Sequence, residues 1–174
     1  MHEIPKELAR YYAESKPLFL YYGFLQIRSR NPVPSWNNLE RYWYGEMAFH
    51  PHYNSITGSD IIFAQDGFGD QYFLRAGIVW RLICESDDVE CSNKNLDSWL
   101  EWISNDPEKN LNIDLSRSVT PGKLLFAFPP LCTNEGATAK LQECPADEVI
   151  RVHIGFAAQI RNLEDGERIK FAIK

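Results

Sequence analysis

Hydrophobic and polar positions change period several times along the chain, and each change marks an element. After Pro5, a residue suited to a first helical turn, Leu8, Tyr11 and Tyr12 recur at helical spacing, which predicts a helix through about residue 15, ended by Lys16-Pro17. Residues 18–27 are almost continuously apolar and read as one buried strand with Gly23 as a bulge. After a proline-containing loop, Ser35 caps a helix predicted over 36–47, with Leu39, Tyr42, Trp43 and Met47 as its apolar stripe. Residues 50–59 are small and polar and form a loop. Strands at 61–65, 71–74 and 78–84, separated by Asp66–Asp70 and by Gly77, predict an antiparallel meander.

Residues 85–95 read as an acidic loop. In 96–105, Leu96, Trp99, Leu100 and Ile103 share one helical face, with Asn95 as the cap and Pro107 just past the end. That face is core. Trp102 falls about 110° from the centre of the stripe and either packs under a neighbouring loop or is exposed beside the acidic segment. Residues 106–123 are polar and show no period. A short strand is expected at 124–128, before Pro129-Pro130, then a loop at 133–138 and a helix over 149–162. After the Asp165-Gly166 turn signal, Ile169, Phe171 and Ile173 alternate with Lys170, Ala172 and Lys174 as a half-exposed edge strand. Helices scattered around a mostly antiparallel sheet define an α+β fold, and 174 residues without a linker suggest one domain over 1–174.

Composition changes this picture in two ways. Apolar residues at 44% and charged residues at 24% fit a soluble globular chain, while 13% aromatics exceed what a core needs and leave Tyr44 and Tyr53 as surface candidates. The net charge of −6 lies wholly in the middle third, since residues 61–120 hold five basic and eleven acidic side chains. Such a balance argues against nucleic acid, whose phosphates need clustered Lys and Arg. A basic protein partner suits it, and so does a merely solvated acidic face. The longest apolar run is too short to span a bilayer and follows Glu3, Glu7 and Glu14, so neither a membrane anchor nor a secretory leader is expected and the chain reads as cytoplasmic. Cys84, Cys91, Cys132 and Cys144 lack Cys-x-x-Cys spacing and are read as reduced thiols.

Candidate chemistry is thin. Asp66-Gly67-Phe68-Gly69-Asp70 superficially resembles a metal or phosphate loop. A calcium loop needs oxygen ligands at several regular positions, and a phosphate loop opens a helix and carries a lysine; neither holds here. The turn is read instead as a hairpin whose glycines take positive φ and whose Asp side chains accept from nearby backbone N–H groups. His50, His52 and His153 are the histidines around which a small-molecule enzyme site would be built, but no partner ligands follow at useful spacing. There is no Gly-x-Ser-x-Gly elbow. No catalytic residue, metal or cofactor is expected. An aromatic anchor beside charge makes Glu85, Asp87, Asp88, Glu90 and Trp102 the candidate protein-binding surface.

The chain resembles the SUKH superfamily of Smi/Knr-type domains. The resemblance is carried by Ile4-Pro5, by Ser35-Trp36-Asn37-Asn38-Leu39, and most of all by Ile62-Phe63-Ala64-x-Asp66-Gly67-x-Gly69-Asp70-x-Tyr72-x-Leu74. Gly77, Trp80, the Leu96/Trp99/Leu100 helix, Pro130-Leu131 and Gln159-Ile160-x-x-Leu163-x-Asp165-Gly166 continue it. It implies an α+β fold, a non-enzymatic role, and Asp66, Gly67, Gly69 and Asp70 as a fold-defining hairpin. Bacterial members of that superfamily include immunity proteins that bind and neutralise polymorphic toxins; fungal members regulate cell-wall synthesis. The resemblance therefore implies an immunity protein for a cognate toxin, a nuclease being the kind an acidic protein suits, or else a regulatory scaffold that binds a host protein. Residues 106–146 depart from a short family domain, as an added lobe or an extended loop system.

Overall fold

A computed structural model describes residue 4, residues 6–12 and residues 18–160. The first helix is α1 (Lys6–Tyr12), with Leu8 fully buried. The predicted Pro5 start, the helix beyond residue 12, the 165–166 turn and the 169–173 strand lie outside the described residues.

The single strand expected over 18–27 is two strands, β1 (Leu18–Leu20) and β2 (Leu25–Ile27), paired antiparallel with Leu20 opposite Leu25. Tyr21, Tyr22 and Gly23 all take positive φ, at 52°, 55° and 89°, and this left-handed run reverses the chain. Gly23 is also fixed sterically, because a Cβ there would lie 2.2 Å from the Val119 carbonyl oxygen. Apolarity along 18–27 is uniform and so carries no mark of the reversal.

The next helix is shorter than its stripe suggests. Ser35 opens a 3-10 turn (Ser35–Asn37), and α2 (Leu39–Trp43) is capped by Asn38, whose Oδ1 accepts from Arg41 N at 2.8 Å. Met47 is buried beyond the helix end, so the stripe Leu39, Tyr42, Trp43 and Met47 is all core although only part of it is helical. Tyr53, a surface candidate from its loop position, is core too and donates its hydroxyl to Cys84 O at 3.1 Å.

The meander is present as β3 (Ile61–Asp66), β4 (Gln71–Arg75) and β5 (Ile78–Ile83). It extends to β6 (Asp88–Cys91), which the acidic 85–95 stretch was expected to leave as loop. Asp87 at φ 64° makes the turn, and Val89 turns into the core while Asp88 and Glu90 face solvent. The sheet runs β1-β2-β3-β4-β5-β6, every pair antiparallel, so the fold is α+β around a six-stranded antiparallel meander.

Both faces are covered. Phe63, Tyr72 and Val79 pack against Leu96, Trp99 and Ile103 of α3 (Leu96–Asn105), together with α1 and Leu111 of α4 (Pro107–Leu111). Ile62, Phe73 and Leu82, on the alternate positions, pack against Tyr42, Phe49, Tyr53 and Val149, Ile150 and Ala157 of α5 (Ala146–Ile160). Asn95 caps α3 by accepting from Ser98 N at 3.0 Å, as its position predicts. Pro107 does more than end α3: with Asp106 as cap, it begins α4.

Residues 106–146 contain regular secondary structure. Besides α4 they contain β7 (Lys123–Phe128) and β8 (Lys140–Pro145), a separate two-stranded hairpin that packs on α5. It meets the main sheet through Leu125 N, which donates to Gly67 O at 2.7 Å. Hence the β3–β4 turn, the β5–β6 turn, the 131–141 connection and α5 converge at one end of the molecule. No described helix is long and apolar enough to cross a membrane.

Candidate functional site

The Asp66–Asp70 turn is internal. Asp66 is fully buried; its Oδ1 accepts from Phe68 N at 2.9 Å and Asp70 N at 3.0 Å. Asp70 Oδ1 accepts from Cys84 N at 2.9 Å, tying the turn to the end of β5. Of its glycines only Gly69 takes positive φ, at 94°. Gly67 is small for another reason: a Cβ there would sit 2.7 Å from the Phe24 ring. Arg81, opposite Tyr72 in the β4–β5 register, places one guanidinium nitrogen 2.8 Å from Asp70 Oδ2 and 3.2 Å from Asp66 Oδ2. Burial raises both carboxyls above the ordinary range. Their mutual repulsion adds to this for Asp66, and Arg81 and the backbone N–H groups oppose it. Burial works against the Arg81 charge, but the surrounding carboxylates outweigh it and hold the guanidinium protonated. Two acids and one base in this geometry form a structural clamp.

The predicted binding residues divide. Asp88 and Glu90 are exposed on β6, at an edge of the sheet, with Glu90 3.8 Å from Arg81 Nη1. Asp87 clips the 50–59 loop by accepting from Asn54 N at 2.9 Å, Ser55 N at 3.2 Å and the Ser55 hydroxyl at 2.6 Å. Glu85 is only 8% exposed, and its Oε2 accepts from Cys132 N at 2.9 Å. Trp102 is half-buried against the α3-side core, with Lys94 Nζ 5.1 Å from its ring centroid. Much of the acidic excess therefore has internal work, which a count of charges along the chain does not show. Asp106 and Glu108 also accept backbone N–H groups, from Lys109 and Leu115.

Where the turns converge there is an open cleft of about 680 Å³, lined among others by Asp70, Arg81, Glu85, Asp88, Cys132 and His153. Sequence reasoning missed this grouping, because Cys132 and His153 approach Glu85 only through the hairpin and α5. His153 is 4% exposed and lies 3.8 Å, Nε2 to Oε1, from Glu85. Burial pushes its pKa down to about 4 against the pull of Glu85, so the imidazole is neutral at pH 7. Burial and the Glu85 carboxylate push the Cys132 thiol up to about 12. At neutral pH this cleft offers a protonated thiol and a neutral imidazole, an arrangement suited to holding a group by charge and hydrogen bonds and poorly suited to thiolate attack. His50 and His52 are exposed in the 50–59 loop, away from this cleft. Among the described residues no group of three or more His, Cys, Asp and Glu side chains is placed to hold a metal ion. The four cysteines are unbridged.

His153 makes stability depend on pH in a predictable direction. The folded imidazole titrates near 4 and the ordinary histidine near 6.5, so between these values the native state binds fewer protons than the unfolded state. Stability from this group is full at pH 7 and falls on acidification, by about 3 kcal/mol at pH 4. Asp66 and Asp70, raised by burial, act with the opposite sign on acidification, so wild type alone does not isolate the histidine. The difference between wild type and His153→Gln does. Relative to wild type, the variant should gain about 3 kcal/mol between pH 7 and pH 4 in urea unfolding; a pH-independent difference would contradict the buried neutral imidazole.

Compared with protein-family models, curated proteins and solved structures, the chain matches none.

Proposed function

We propose that this chain is a non-enzymatic binding protein for a basic protein partner, and that the partner is a cognate toxin, such as a nuclease, that it neutralises. The observation that carries the binding reading is the pair of exposed carboxylates, Asp88 and Glu90, on edge strand β6. The cation beside them, Arg81, is shared among buried Asp66, buried Asp70 and, at 3.8 Å, Glu90, so its one positive charge offsets the exposed pair only in part. Exposed acids at a sheet edge deter edge-to-edge pairing with other chains and draw a basic surface by long-range attraction. The toxin reading rests on the resemblance to Smi/Knr-type domains, whose α+β architecture this fold is consistent with.

The double variant Asp88→Lys/Glu90→Lys tests it. Both positions are solvent-exposed, so folding should persist. Where a neighbouring gene encodes a toxic domain, affinity for that domain should fall at least about tenfold at low salt, and protection on co-expression should be lost. Affinity unchanged at low salt would reject this surface. Recovery of only housekeeping proteins, with no toxin in the gene neighbourhood, would favour the regulatory scaffold instead.

A further inference from the structure

The cleft contains an imbalance that the protein-contact reading does not use. The Glu85 carboxylate is buried; among the described residues it accepts from Cys132 N and lies beside the Cys132 thiol, which hydrogen-bonds it as well. His153 Nε2, at 3.8 Å from Oε1, is beyond hydrogen-bond distance. The imidazole Nδ1 has no hydrogen-bond partner among the described residues, and burial keeps the ring uncharged at pH 7. Among the described residues no Lys or Arg pairs with Glu85, so the cleft presents a carboxylate whose nearest ionisable neighbour, His153, is uncharged at pH 7.

The rest of the lining says what fits. Asp70 and Asp88 add carboxylates, and the lining cation, Arg81, is shared between Asp70 and Asp66. Ile83, Leu131 and Leu141 supply apolar wall. An anion would meet net negative charge here. A cation on an apolar stem would place its charge among carboxylates and its methylenes along the leucines.

We propose that this cleft binds a cationic head group on an alkyl stem, a primary ammonium or a guanidinium, which donates to the Glu85 carboxylate beside His153. The site shares Asp88 with the surface proposed above but does not require a toxin, because the head group comes either from a free small amine or from a Lys or Arg side chain of a protein.

The test is an NMR titration of isotope-labelled protein with butylammonium, butylguanidinium and acetyl-arginine methylamide, with n-butanol as the uncharged control. The cations should shift the His153 ring and Cys132 amide signals saturably, with dissociation constants on the order of 1–10 mM or tighter. Glu85→Gln keeps an acceptor for the Cys132 N–H and should weaken binding at least about tenfold. Ala139→Trp, which obstructs the cleft from its lining, should abolish it. Tighter binding of the capped arginine assigns the head group to a protein side chain, and tighter binding of the free amines assigns it to a small molecule; both support the site. No saturation by about 50 mM, an equal response to butanol, or unchanged binding in Glu85→Gln and Ala139→Trp would overturn it. The Asp88→Lys/Glu90→Lys protection assay is read separately, so either proposal can fail alone.

Discussion

Replacing Arg81 by methionine is expected to lower the unfolding free energy by about 3–5 kcal/mol at pH 7. The guanidinium is the cation bonded to Asp66 and Asp70, and both of those carboxylates are buried. Without it, two buried carboxyls that burial already raises above the ordinary range face each other, with only backbone N–H groups to hold any charge they keep. The molecule's remaining recourse is to bind protons. The loss should therefore shrink as pH falls from 7 toward 4, where the two carboxyls become neutral in the variant. Urea unfolding of wild type and Arg81→Met at both pH values measures this. An equal loss at both would mean that the methylenes of Arg81, and not its charge, hold the turn. The clamp joins the β3–β4 turn to β5, so the variant should also loosen the end of the sheet that forms the cleft.

Trp99→Ala is expected to cost about 3–5 kcal/mol as well, for a different reason. The indole is 1% exposed and meets the Phe63 ring edge-on, at 5.6 Å and 84°, and the Tyr72 ring at 4.8 Å. It is the main seal between α3 and the sheet, and its removal leaves a cavity that rigid strands cannot close. The melting temperature should drop by roughly 10 °C for a chain of this size. Trp102→Ala, at a half-buried position three residues on, should cost clearly less. Thermal unfolding of the two variants side by side tests this, and comparable losses would mean that the face of α3 has been misassigned.

These two residues also show what a sequence can and cannot reveal. Trp99 was legible: its spacing from Leu96 and Ile103 places it on the core face, and Asn95 marks the start of the helix. Arg81 was not, because its role depends on which residue stands opposite it in the next strand and on a turn that folds two acids inward. The same holds for the buried Arg28, which donates to Gln65 Oε1 at 2.9 Å and to Gln71 Oε1 and lies 3.6 Å from the Tyr42 ring centroid. Polar residues in a strand signal exposure by default, and only pairing across strands shows that they satisfy one another inside.

Boundaries were lost where local chemistry overrode periodicity. The left-handed run at Tyr21–Gly23 divides an apolar stretch that pattern alone reads as continuous. Asp87 in the left-handed region turns an apparent acidic loop into a hairpin. β7 stands where a strand was expected at 124–128, but its partner β8 hid because it is half-exposed and contains Gln142 and Glu143, so its alternation is weak. Of the candidate site, exposed Asp88 and Glu90 were readable from charge density, whereas the cleft was not. Glu85, Cys132 and His153 lie far apart along the chain and meet only through the β7–β8 hairpin and α5.

On the proposed reading, the acidic end of the sheet, at β5 and β6, receives a basic protein. Hydrogen–deuterium exchange of this chain, alone and with a basic protein partner recovered by pull-down, is the measurement that decides it. Residues 81–92 and the 131–141 connection should be protected on binding, with α1 and the 50–59 loop unchanged. Protection confined to those other elements, with the amides of β6 exchanging as fast as in the free protein, would contradict it.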